Sequence, residues 1–178
     1  MDYKKHQYKV LCEDKAHYNF VRGWLEKKGG HRRVECYGDL PHEGSGKSFV
    51  EKNFTEALDK VRKISNRVST FLIVVIDADN IDLDSIAKKL TCDDSDPVFI
   101  VVTKWSIDTW ARFLMEPNHE KALDESESCK NDFRNKAKFT KLGKQLADTN
   151  ISDDQNIPSS LRYTINTIKK KKDLLKLN

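Results

Sequence analysis

The chain has 178 residues, of which 34% are charged and 38% apolar, and its net charge is only +4 because both signs are abundant. The charged fraction exceeds the roughly 25% of an average domain, whereas so small a net charge does not by itself indicate a nucleic-acid partner. The longest apolar run, residues 71–76, is far shorter than the roughly 20 residues of a membrane-spanning helix, so we expect no membrane partner.

The N-terminal sequence and the cysteines bear on the cellular compartment in which the protein is expected. MDYKKHQYKV has no apolar signal region, and the four cysteines form no CxxC pair. We therefore expect a cytoplasmic protein with reduced thiols and no zinc site.

Strand and helix patterns alternate along the first two thirds of the chain. Apolar runs predict strands over 8–12, 33–37, 70–76 and 97–103, and the last two fit strands that are covered on both faces. Helical spacing predicts helices between them, and the buried stripe of the second comprises Val50, Phe54, Ala57, Leu58, Val61 and Ile64. We predict an α/β, Rossmann-like fold with a mainly parallel sheet of about four strands flanked by helices.

No strand pattern remains after Pro117, and two further helices are predicted, within 129–148 and from Pro158 onward. We therefore predict an α/β domain over 1–116 and a helical extension over 117–178.

The extension carries two basic segments, 130–144 and 169–176. Lysines there could contact phosphates, each adding salt-dependent affinity, and Lys136, Lys138 and Lys141 are the candidates. A solvated helix face is the alternative interpretation.

Residues 40–50, LPHEGSGKSFV, are similar to a phosphate-binding P-loop, G-x-x-x-x-G-K-[ST]. Gly46, Lys47 and Ser48 match the end of that pattern, but Pro41 stands where the leading glycine belongs. The simpler interpretation is a loop whose Ser48 caps the next helix. Lys47 is a candidate for contact with a substrate phosphate.

Charged residues follow three of the predicted strands. Glu13 and Asp14 follow the first, Asp77 and Asp79 the third, and Lys104 the fourth. The carboxyl ends of parallel strands share one edge of a sheet, where ligands of open α/β proteins bind. Carboxylates gathered there favour a hard cation such as Mg²⁺ or Mn²⁺. For each acid alone, a turn-forming role at the strand end is the alternative.

These motifs resemble a TOPRIM domain. This domain occurs in topoisomerases, bacterial primases and overcoming-lysogenization-defect nucleases. The similar features here are VLCED before an amphipathic helix, then LIVVIDADN, and then an apolar strand that ends near a lysine. VTKWSIDTW resembles a motif of small stand-alone TOPRIM-like proteins of bacteria and their mobile elements, with Asp108 where those proteins usually have Glu. The resemblance covers residues 8–115 and extends loosely into the tail.

The resemblance implies a metal-dependent nuclease. Glu13 would be the general acid/base or a metal ligand, and Asp77 and Asp79 would hold Mg²⁺ or Mn²⁺. Lys104 would stabilise charge on the phosphate, and Asp108 would orient Lys104 or reach a second metal.

The chain departs from the nuclease pattern shortly after the first glutamate. Nucleases of this type usually carry another acid there, whereas this chain has Asp14 and His17, so Asp82 or Asp84 becomes a candidate for the missing ligand. The five histidines are scattered, and we predict that most of them are exposed to solvent.

Three functions are compatible with these motifs. The first is a nuclease that cleaves DNA or RNA in bacterial antiviral defence, with a partner ATPase and with homo-oligomerisation left open. The second is a non-catalytic TOPRIM-fold subunit of an ATPase complex. The third is a receiver-like domain with Asp77 as phosphoacceptor, although only one helix and one strand separate Asp77 from Lys104.

Overall fold

The computed structural model describes most of the chain. The described residues are 6–29, 34–37, 46–65, 69–119, 121–123, 125–126, 128–129, 138–151 and 156–174. Within these ranges no helix has the length and apolar character needed to cross a membrane.

Four strands alternate with helices, and two further helices follow. The strands are β1 (Gln7–Cys12), β2 (Val34–Cys36), β3 (Thr70–Asp77) and β4 (Val98–Thr103). The helices are α1 (Lys15–Lys27), α2 (Gly46–Ser65), α3 (Leu83–Lys89), α4 (Ile107–Met115), α5 (Phe139–Asp148) and α6 (Ser159–Leu174). The predicted α/β class with a parallel sheet and C-terminal helices is confirmed.

The four strands form one parallel sheet in the order β2-β1-β3-β4. In this register Cys12 stands beside Val75, and Asp77 stands beside Thr103. Because the chain adds β2 on one side of β1 and β3 on the other, the strand order reverses between β1 and β3. That reversal creates the crevice at which open α/β sheets bind ligands.

The central strand β3 is buried on both faces, which explains its unbroken apolar sequence. Phe71, Ile73 and Val75 face the core beneath α1 and α4, while Leu72 and Val74 face the core beneath α2 and α3. Burial of these two apolar faces is the main favourable contribution to folding of the sheet.

Two predictions for α2 are wrong. The described helix begins at Gly46, so Ser48 lies inside its first turn and does not cap it. Ile64 was predicted to be buried but is 38% exposed. Ile64 borders an open surface pocket together with Lys9 and Cys36 of the sheet, so water reaches its side chain. The glycine-rich loop before α2 lies outside the described residues.

The C-terminal helices pack directly on the α/β part of the chain. A Cβ placed on Gly143 of α5 would lie 2.0 Å from the carbonyl oxygen of Phe20 in α1, and one on Gly23 would lie 2.0 Å from that of Thr140. In α6 the hydroxyl of Thr164 bonds to the backbone of Val102 in β4 at 3.2 Å. The boundary between residues 116 and 117 stays a prediction.

The glycine contact between α1 and α5 predicts that one glycine-to-alanine substitution in a helix lowers the stability of the protein. Gly143→Ala improves helix propensity by roughly 1 kcal/mol, yet it should lower the free energy of unfolding by about 1–3 kcal/mol, the usual cost of overpacking. The cause is the backbone of Phe20, which cannot move away from the new methyl group as a side chain could.

Urea unfolding of the two proteins measures this change. The control is Lys141→Ala, an exposed position in the same helix, which should change stability by less than about 0.5 kcal/mol. Unchanged or raised stability in Gly143→Ala would contradict the close approach of the two helices.

Candidate functional site

Two acids meet at the carboxyl edge of the sheet, where β1 and β3 lie side by side. Glu13 follows β1 directly, and Asp77 is the last residue of β3. A carboxylate oxygen of Glu13 accepts a hydrogen bond of 2.6 Å from the backbone N–H of Asp77. Glu13 is 9% exposed and Asp77 only 3%. The strand pairing thus brings together two of the acids that the sequence singled out.

His17 links this pair to Asp14. Its Nε2 lies 2.9 Å from Oδ1 of Asp77, and its Nδ1 lies 2.8 Å from Oδ1 of Asp14. His17 is 1% exposed, so it is an exception to the prediction that most histidines are exposed to solvent. The reason is that Asp14 caps α1 by accepting from the N–H groups of Ala16 and His17, which turns the first turn of α1 over the sheet edge.

Strand β4 provides a third contact to Asp77. The hydroxyl of Thr103 donates a hydrogen bond to the same Oδ1 atom that His17 contacts. The N–H of Ala78 also bonds to the carbonyl of Thr103 at 2.8 Å. The Asp77 carboxylate is therefore held from α1 and from β4 at once.

Burial leaves Glu13 without full compensation for its charge. Burial, with repulsion from Asp77 and a smaller contribution from Asp79, raises the pKa of Glu13 to about 7. The Asp77 N–H and the nearby His17 oppose this rise but do not cancel it. Glu13 can therefore exchange a proton near neutral pH.

The pKa values of His17 and Asp14 are shifted so that both groups favour their charged forms. Burial disfavours the protonated imidazole, but the charges of Asp77 and Asp14 outweigh it and raise the pKa of His17 well above its usual value. Burial also opposes ionisation of Asp14, but hydrogen bonds and charge from His17 prevail and lower its pKa. These shifts favour the protonated form of His17 between the two side chains.

The second acid of the DxD motif points away from this network. Asp79 has a backbone φ of 53°, a left-handed conformation that Asp tolerates better than most residues. Its carboxylate, 54% exposed, lies 3.4 Å from the ammonium of Lys47, which also bonds to the carbonyl of Ala78 at 3.3 Å. The start of α2 therefore adjoins the acidic edge, since a Cβ on Gly46 would lie 3.9 Å from Oε2 of Glu13.

Lys104 and Asp108 occupy different surroundings. The ammonium of Lys104 donates to the carbonyl of Ile81 at 3.4 Å, in the turn after β3. Asp108 is buried in the first turn of α4, where its Oδ2 accepts from the hydroxyl of Ser106 at 3.1 Å. These contacts assign Asp108 a role at the start of α4, and its role toward Lys104 or a second metal stays a prediction.

The remaining candidates lie on helix ends. Asp82 caps α3 by accepting from the N–H groups of Asp84 and Ser85, so its carboxylate is already engaged. Lys138 and Lys141 are exposed at the start of α5, whereas Lys136 lies outside the described residues. Phosphate contacts by these lysines stay predictions.

Carboxylates are the ligands that a hard divalent cation requires, and two of them meet at this edge. In the part of the chain that the structure describes, no group of three or more His, Cys, Asp or Glu side chains is arranged to hold a metal. Mg²⁺ nevertheless binds commonly through one or two carboxylates and completes its shell with water. Glu13 uses Oε1 for the Asp77 N–H, and Asp77 uses Oδ1 for His17 and Thr103, so Oε2 and Oδ2 are the oxygens available to a cation.

Comparison with known proteins supplies no relative for this chain. No protein-family model, no curated protein and no solved structure matches it. The site is therefore interpreted from its own residues.

The raised pKa of Glu13 predicts a pH-dependent stability. The folded pKa of about 7 lies above the ordinary value of 4.5, so the folded state binds more protons, and stability falls as pH rises through that interval and levels off above it. Glu13→Gln keeps an oxygen acceptor for the Asp77 N–H without a charge. It should therefore gain roughly 2–3 kcal/mol relative to wild type between pH 4 and pH 8.

Urea unfolding in the presence of EDTA across this pH range checks the difference. Glu51→Gln, at an exposed position of α2, is the control and should follow the wild-type curve. Parallel curves for wild type and Glu13→Gln would contradict the electrostatic description of the site.

Proposed function

We propose that this protein is a Mg²⁺-dependent nuclease of the TOPRIM type that hydrolyses phosphodiester bonds in nucleic acid. The observation that carries the proposal is the pair of buried carboxylates, Glu13 and Asp77, at the reversal of strand order. A carboxylate with a pKa near 7 beside a second acid is the arrangement expected where a cation or a proton is to be exchanged.

Glu13 and Asp77 would hold the ion, with Asp79 as a further oxygen ligand if it turns away from Lys47. When bound, Mg²⁺ supplies a Lewis acid that polarises a phosphoryl oxygen. Because the pKa of Glu13 is about 7, this carboxyl group would release a proton in part of the population in order to hold a cation at neutral pH. Without the cation, the same carboxyl group can give or take a proton as a general acid or base.

His17 acts as a positioning residue. Its two ring nitrogens hold Asp77 and Asp14 at fixed distances, so the Asp77 carboxylate cannot rotate freely. Thr103 restrains the same carboxylate from the other side. A ligand held in this way needs little reorganisation when the substrate binds.

Two lysines flank the turn after β3 and are suited to contact a substrate phosphate. Lys47 reaches Asp79 and Ala78, and Lys104 reaches the carbonyl of Ile81. When a phosphate binds at this turn, the lysine ammonium groups would exchange their weak contacts with carbonyl oxygens for a charged phosphate oxygen. They would then stabilise the charge that develops on it. Lys138 and Lys141 would add salt-dependent contacts farther along the nucleic acid.

A phosphoacceptor role for Asp77 is the weaker candidate. Only one helix, α3, and one strand, β4, separate Asp77 from Lys104, whereas a receiver domain needs a further strand between its phosphoacceptor and its lysine. A partner ATPase and a role in antiviral defence follow from the family resemblance alone and stay predictions.

Cleavage assays on DNA and RNA with Mg²⁺ or Mn²⁺ test the proposal. Glu13→Gln and Asp77→Asn should each lower the rate by roughly 100-fold or more, as expected when a charged group at a reaction centre is neutralised. Asp94→Asn removes an exposed acid beyond α3 and is the control, which should cleave at the wild-type rate.

Two outcomes would overturn the nuclease proposal. One is equal metal-dependent cleavage by wild type and both site variants, which would point to a contaminant or another site. The other is no cleavage of either nucleic acid by a folded wild-type protein; stable copurification with an ATPase would then favour the non-catalytic subunit.

A further inference from the structure

A cavity of about 320 Å³ lies between α1 and α6, on the sheet face opposite α2 and α3. Its floor consists of Tyr8, Ile73, Phe99 and Val101, which lie in the first or middle part of their strands. Glu13 lies beyond the carboxyl end of β1 and is not among the lining residues that the structure describes. The cavity is therefore separate from the candidate site.

The interior of the cavity is apolar. Phe20 and Trp110 line its buried part, and Trp24, Ile165 and Ile168, all half-buried, line its entrance. The polar atoms nearby are already paired, since the indole N–H of Trp110 donates to the hydroxyl of Ser160 at 2.8 Å. A polar group placed inside would thus lose its bonds to water without finding new partners.

The rim of the cavity carries positive charge. Lys28 at the end of α1 and Lys169 and Lys172 near the end of α6 line it, and no acidic side chain is among its described lining residues. The ammonium of Lys28 donates to the carbonyl of Ala147 at 2.9 Å, which places it beside the end of α5. Lysine stems cover apolar surface while their charged ends stay in water, so the rim pairs an apolar entrance with cationic heads.

We propose that this cavity binds a medium-chain fatty acid, with the aliphatic chain between α1 and α6 and the carboxylate at the lysines of the rim. The apolar interior selects the chain, and the basic rim selects an anionic head. A volume of 320 Å³ is at the small end of the roughly 300–1,000 Å³ of ligand pockets, which favours a chain of medium length. A nucleotide is disfavoured because its base and sugar would bury unpaired polar groups.

Calorimetric titration of the full chain with decanoate, below the concentration at which decanoate forms micelles, tests the proposal. One molecule should bind per chain, and decanol, which has the same chain without the charge, should bind about tenfold more weakly. Decyl sulfate separates a general anionic head from a carboxylate. Its binding as tightly as decanoate would overturn the carboxylate assignment, and the expected result is weaker binding.

Reversing the charge of two lysines at the rim tests the position of the head group, and a neighbouring lysine of α6 provides the control. The double variant Lys169→Glu/Lys172→Glu should weaken decanoate binding by about tenfold and leave decanol unchanged. Lys170→Glu changes a neighbouring exposed lysine that is not among the lining residues, and it should bind decanoate as wild type does. Equal weakening by both changes would overturn the placement of the head group.

Filling the entrance tests the position of the chain. Ile168→Trp should abolish decanoate binding. Decanoate brominated at its last carbon should quench the fluorescence of the wild-type protein, because Trp24 and Trp110 both line the cavity, and this readout remains if the variant does not fold. Absence of binding by wild-type protein, or binding without quenching, would overturn the proposal.

Discussion

The parallel pairing of β1 with β3 is the interaction on which the candidate site depends. Its register sets Cys12 beside Val75, so Glu13, the residue that follows β1, reaches the backbone N–H of Asp77. A shift by one residue would turn every side chain of β1 to the other face of the sheet. Such a shift would turn Lys9, which pairs with Glu35, into the core that Tyr8, Val10 and Cys12 now fill, so the register and the contact between the two acids are maintained.

Two buried acids in contact are costly unless a positive charge accompanies them. His17 supplies that charge for Asp77 and Asp14, and the three side chains form a compensated network. Glu13 stands at the border of this network with a pKa of about 7, so its compensation is incomplete. This difference between neighbouring acids suits a site in which one carboxylate is fixed and the other exchanges its proton for a cation.

Local sequence patterns predicted the strands and the acids that follow them, but they did not predict the contacts between side chains. The apolar runs of β3 and β4 and the acids after the strands are local features, so the sheet and the Glu13–Asp77 edge could be predicted. His17 could not, because its burial depends on how α1 turns over that edge; the only local signal is its position three residues after Asp14, the α1 cap. The α1–α5 glycine contact and the cavity depend on packing between distant segments, which single-sequence patterns do not encode.

We propose that Glu13 and Asp77 share one divalent cation, and a crystal structure of the protein grown with Mn²⁺ tests this most directly. The anomalous signal of manganese identifies the ion without reference to activity. We expect one peak within coordination distance of Oε2 of Glu13 and Oδ2 of Asp77, with His17 still bonded to Asp77. Manganese bound elsewhere, with no peak within coordination distance of either carboxylate, would contradict this account.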